Sequence, residues 1–245
     1  MKKELPESKK KRKHERVPVI LEVSYRTTGG FLVSYSMNLS KGGLFIETDN
    51  PLSVGKELTL RLMPSAEKKD FEEIKGRVVW VREEETSEGR PGMGIVFENM
   101  AEKIGAIIDD LVSTFKGLQI VFVGGKSSKS RSHFAGRLRS ILRSKVTEVG
   151  GKISAIDQLT QNVDLIVADL DRAGQEGLAL LRWATDGIKN RPALVALASL
   201  PEMQETAKKL GIDEVISPKG SPNEFRTAVL RALSRPLIKS QDEEK

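Results

Sequence analysis

Between residues 17 and 99, apolar and polar positions alternate in short runs broken by turn residues, the period-two pattern of half-buried strands. Residues 19–26 alternate and stop at Gly29-Gly30, and the alternation returns over 31–37. Gly42-Gly43 opens the next run, 44–48, and Asp49-Asn50-Pro51 with Gly55 breaks the chain before 57–62. A long run over 71–82 contains Val78, Val79, Trp80 and Val81, and a glutamate-rich loop separates it from 92–97. Six strands of this length predict a small all-β barrel, an arrangement that removes exposed strand edges.

The period then changes. Ile104, Ile107, Ile108, Leu111, Val112 and Phe115 recur at helical spacing, so 101–115 predicts an amphipathic helix. Its stripe suits the open end of the barrel or a second copy of the chain. From residue 118 strand-like and helix-like segments alternate: strands at 118–123, 146–149, 164–170, 193–198 and 214–217, and helices around Phe134 to Leu142, 153–161, 174–185, 201–210 and 224–233. Five βα units in succession predict a doubly wound parallel sheet covered on both faces. The expected organisation is an arm over 1–16, a β unit over 17–99, a helical linker over 100–116, an α/β unit over 117–236 and a polar tail over 237–245.

Composition narrows the chemistry. With no cysteine and only His14 and His133, disulfides and Cys/His metal centres are not expected, and the lack of cysteine fits a reducing cytoplasm. No apolar run reaches the length of a membrane span, and no signal-peptide pattern follows the first lysines. The net charge of +6 is concentrated: residues 1–16 hold eight Lys/Arg against three Glu, a net of +5, which leaves +1 for the rest. The basicity belongs to a terminal arm, which reads as a solvated leader, a nucleic-acid arm or a clamp for a small anion. Nearly neutral bodies offer no broad basic groove, which disfavours nucleic acid.

Within the arm, Arg12 and Arg16 stand four apart just before the first strand, and Asn38, Ser40 and Gly43 stand in the turn before the third. Arginine pairs bidentately with phosphate or guanine edges and stacks on base planes. A short amide and a hydroxyl read a base edge, and glycine lets backbone approach closely. Together these residues meet the pattern R-x-x-x-R … [DN]-x-S-x-x-G, and over about residues 10–115 the chain resembles the PilZ family. The strand Gly92-Met93-Gly94-Ile95-Val96-Phe97 is similar to that family's closing strand. The resemblance implies a six-stranded PilZ-type barrel that binds cyclic-di-GMP. Arg12 and Arg16 would clamp its phosphates and guanines, Asn38 and Ser40 would contact a guanine, and Gly43 would keep the turn tight. Lys11, just before the first arginine, would bear on whether one or two nucleotides are held.

The second unit, over about 118–236, resembles a response-regulator receiver. Asp169, at the end of the 164–170 strand, stands where the phospho-acceptor would be. Gly124-Gly125-Lys126 replaces the acidic pair that would hold Mg²⁺, the expected Ser/Thr is Ala198 or Ser199, and the usual Lys-Pro is reversed as Pro218-Lys219. Asp169 is therefore expected to be vestigial and the unit a pseudo-receiver, with no metal. Gly124-Gly125-Lys126-Ser127 is not a P-loop, because Ile120 stands where the motif's first glycine belongs. The expected protein is a non-enzymatic cyclic-di-GMP effector acting on a protein partner, or on a second copy, through the receiver-like unit. The alternatives are a phosphorylation-responsive receiver and a PilZ-like scaffold that binds no nucleotide.

Overall fold

The structure, a computed structural model, describes residues 19–39, 42–64, 71–86, 90–98, 100–125, 128–141, 143–150, 163–187 and 191–240. The first unit contains β1 (Val19–Ser24), α1 (Thr28–Met37), β2 (Gly43–Glu47), β3 (Glu57–Met63), β4 (Glu72–Arg82), β5 (Gly92–Phe97) and α2 (Met100–Thr114). The second follows with β6 (Leu118–Val123), α3 (Ser128–Ile141), β7 (Ser144–Val149), β8 (Leu165–Asp169) and α4 (Leu170–Gly187). It continues through β9 (Ala193–Leu197), α5 (Pro201–Lys209), β10 (Glu214–Ile216) and α6 (Pro222–Ser234), and the described chain ends in β11 (Leu237–Ser240).

The first sheet has the order β11-β1-β3-β4-β5-β2, with β1 and β3 parallel and the other pairs antiparallel. Alternation along β1 and β3 sends Leu21, Val23, Leu58, Leu60 and Leu62 inward, into one core with Ile104, Ile108 and Leu111 of α2. The second sheet has the order β10-β9-β8-β6-β7, all parallel. Counted within the unit this is 2-1-3-4-5, a doubly wound order with its switch point beside the first strand. Its strands are apolar on both faces: Val121, Ile166 and Leu194 pack on α4 and α5, while Phe122, Val167 and Val195 pack towards Phe134 of α3 and Phe225 of α6. The helix expected over 153–161 lies outside the described residues.

Two segments depart from the sequence reading. Residues 31–37, expected as a strand, lie within the helix α1. Phe31, Leu32 and Tyr35 of this helix enter the first core, whereas Val33 and Met37 enter the second. A helix buried between two cores has no polar face, so the helical period never shows in its sequence. The sixth strand of the first sheet is instead supplied by 237–240, expected as part of a polar tail, which pairs antiparallel with β1 from Leu21↔Ser240 to Ser24↔Leu237.

Docking of α1 depends on its glycines. Thr27 caps the helix by accepting from the Gly30 amide at 3.0 Å. A Cβ on Gly29 would stand 2.5 Å from Leu118 Cδ2 and 2.6 Å from Asp164 Oδ1. Gly29→Val therefore overpacks the seam between the units and is expected to cost about 1–3 kcal/mol. Chemical denaturation measures it, and an unshifted midpoint would mean that α1 does not dock there.

Candidate functional site

The turn after α1 is built from both ends. Leu39 is fully buried in the first core, and its carbonyl accepts from the Gly42 amide at 2.8 Å. Gly42 takes the left-handed conformation (φ 79°), and its carbonyl accepts from Phe97 of β5 at 2.7 Å. Gly43 then begins β2 opposite Val96, where a Cβ would stand 2.9 Å from the Ile95 carbonyl oxygen. The left-handed step thus belongs to Gly42, and Gly43 provides the close approach. Asn38 is the C-cap of α1, half-buried, its amide donating to the Ser34 carbonyl at 2.9 Å. Lys11, Arg12, Arg16 and Ser40 lie outside the described residues. The structure therefore places Asn38 and Gly43 at the two ends of one pinned turn, and the arm's chain enters the fold at β1.

Beside this turn is a platform that the sequence reading did not single out. A bulge between Val78 and Trp80 turns two consecutive residues outward, leaving Val79 and Trp80 each a little under half exposed. Phe45 on β2 and Trp80 on β4 both face Gly94 on β5, and their rings stack across it at 4.8 Å with an 8° interplanar angle. A side chain on Gly94 would overlap the Trp80 indole. The Arg82 guanidinium lies 5.0 Å from the Phe45 ring and 5.4 Å from the Trp80 ring. Flat π-faces with a guanidinium on an open sheet suit a planar heterocycle. The sequence signal was faint: an outward Trp two strands from an outward Phe, with glycine between them in register.

At the C-terminal end of the second sheet, Asp169 is fully buried. Its Oδ2 meets Arg172 Nη1 at 2.5 Å, while Oδ1 has no hydrogen-bond partner among the described residues. Burial raises its carboxyl above the ordinary range, against the pull of Arg172. After β6, where receivers carry acids, stand Gly124 and Gly125. Asp171 accepts from both the amide and the hydroxyl of Ser199, at 2.8 and 2.5 Å, so Ser199 and not the buried Ala198 faces this cleft. The cleft is also lined by His133, Phe134 and Lys219 and encloses about 400 Å³. Among the described residues no group of three His, Cys, Asp or Glu is arranged to hold a metal.

The two units are latched by a buried carboxylate. Asp213 accepts from Arg26 (2.9 Å), from Arg191 (2.7 and 3.1 Å), from Arg235 (3.4 Å) and from the Leu194 amide (2.8 Å). Arg26 belongs to the first unit, and Arg235 leads into β11 and also pairs with Glu47 at 3.0 Å and Glu214 at 3.2 Å. Burial alone would raise the Asp213 carboxyl, but the guanidiniums, Arg26 first, outweigh it and hold it below the usual carboxylate range.

Residues 10–113 match the family model of the PilZ domain. No curated protein matches the chain. Among solved structures, the receiver domain of a sensor histidine kinase from Pseudomonas aeruginosa, with magnesium in its cleft, is 21% identical at a TM-score of 0.42, covering 48% of this chain and 98% of that one. A CheY-like receiver domain from Methylobacillus flagellatus is 17% identical at a TM-score of 0.41 (47% and 98%). RcsB from Salmonella enterica serovar Typhimurium, bound to a promoter, is 14% identical at a TM-score of 0.40, covering 46% of this chain and 66% of that one.

Proposed function

Because the chain carries a PilZ domain over residues 10–113, we propose that it is a non-enzymatic receptor for cyclic-di-GMP that signals through its α/β unit to a protein partner. The observation that carries this reading is the pinned turn from Asn38 to Gly43, next to the Phe45–Trp80–Arg82 platform and following an arm with two arginines. Arg12 and Arg16, with Lys11 beside them, supply the charge that a dianionic ligand requires. Asn38 and Ser40 supply the polar edge, and the platform supplies a face for a guanine. Ligand that engages both the arm's arginines and the turn changes the shape of the first unit.

In the second unit, Asp169 faces the Arg172 cation where a receiver needs a metal, which favours a protein-docking role over phosphoryl transfer.

Titration calorimetry with cyclic-di-GMP tests the reading. Wild type is expected to bind at micromolar or tighter affinity, and Arg16→Ala to lose binding at least a hundredfold, as for removal of a charge-assisted clamp. Trp80 fluorescence should respond to the same titration. A folded wild type that gives no heat at tens of micromolar, a concentration scale set by ordinary affinity arithmetic, would sink it.

A further inference from the structure

We propose that α1 couples the nucleotide site to the second unit, so that binding the cyclic dinucleotide tightens the seam between α1, α6 and β11. The proposal rests on the cyclic-di-GMP reading above and adds to it the route and the sign of the coupling.

The two halves of the nucleotide motif bracket a single stretch of chain, β1 followed by α1. Arg16 stands three residues before the start of β1, and Asn38 is the C-cap of α1. Both elements in between are held by the C-terminal part of the chain. β1 pairs with β11. Arg26, at the corner between β1 and α1, donates to Asp213. The start of α1 lies against Asp164, which also accepts from the Gln119 amide at 2.8 Å. Gly30 of α1 approaches the backbone of α6 so closely that a Cβ there would stand 2.8 Å from the Leu233 carbonyl oxygen.

Seating α1 therefore fixes Asn38 and the entry of the 39–42 turn before ligand arrives. Anything that loosens the seat makes the ligand order that turn itself, and affinity falls. Linkage then requires the reverse: ligand held at Asn38 strengthens the seat of α1 on α6. The signal leaves through α6 and β11.

Gly30→Ala separates this coupling from a local effect. Alanine is a better helix former than glycine, so α1 alone would be strengthened. Its methyl group, however, meets backbone of α6 and displaces the seat. In the full chain, with folding checked by circular dichroism, Gly30→Ala is expected to bind cyclic-di-GMP about tenfold more weakly, within the usual range of coupling between sites. Hydrogen exchange on wild type, which needs no variant, should slow over 222–240 when cyclic-di-GMP is added. Ligand that binds wild type normally but leaves exchange at 222–240 unchanged overturns the coupling, as does an affinity in folded Gly30→Ala equal to or tighter than wild type. A wild type that fails to bind at all overturns the receptor reading and the coupling with it.

Discussion

Asp213→Ala is expected to lower the stability of the full chain by about 3–5 kcal/mol, because one partner of a buried ionic network is removed and the others stay. Asp213 is 2% exposed and is the shared partner of Arg26, Arg191 and Arg235, which come from the first unit, the second unit and the connection to β11. Without it, three guanidiniums crowd one desolvated space, and the Leu194 amide loses its acceptor. Chemical denaturation followed by circular dichroism measures the loss, and a second, earlier transition would show the units separating. A change below about 1 kcal/mol, the scale of an exposed ion pair, would mean that the cluster is solvated and not a latch.

The same residue sets an acid response. A carboxyl held below its ordinary value in the folded state contributes stability above its unfolded pKa and loses that contribution as pH falls through the folded pKa. Asp164, Asp169 and Glu214 are shifted the other way, first by burial, so protonating them relieves a cost of the folded state. Acid destabilisation of wild type should therefore appear below the ordinary carboxylate range, where Asp213 finally takes its proton. Asp213→Asn should flatten that limb, and an unchanged acid profile in this variant would rule Asp213 out as its source.

Ending the chain after Pro236 is the second large effect. It deletes β11, strips the partner from one side of β1 and removes the half-buried Leu237 and Ile238. About 2 kcal/mol of stability should go with that apolar burial. The edge of β1 it opens presents unpaired backbone N–H and C=O groups, so the shortened chain is also expected to self-associate with rising concentration. Sedimentation velocity alongside thermal unfolding reads both effects. A shortened chain with unchanged melting and no added self-association would show that β11 adds nothing to the first sheet.

Both effects arise where the sequence was least informative. The strands with one buried face could be read locally, because alternation along β1, β3 and β4 records which side meets the core. The parallel strands β6, β8 and β9 could be read as nearly continuous apolar runs, because both of their faces are covered. By contrast, α1 has apolar side chains on opposite faces, and the resulting Phe-Leu-Val pattern looks like a strand. Gly29-Gly30 looked like a turn because glycine marks turns most often, whereas here it marks close approach between elements.

The candidate site divides in the same way. Arg12, Arg16, Asn38, Ser40 and Gly43 formed a pattern because the spacing of a short motif is a property of the chain itself. The Phe45–Trp80 stack came from three strands in register across Gly94, and no local spacing encodes register between distant strands.

The sequence by itself determined the two-unit organisation, the position of the basic arm and the spacing of the PilZ-like motif, since each depends on composition or on periods within one segment. Only the tertiary structure decided that α1 is a helix shared by two cores, that the last described strand joins the first sheet, and that Asp213 ties the units together. Those features depend on surfaces meeting across more than a hundred residues, where burial on a second side erases the local pattern.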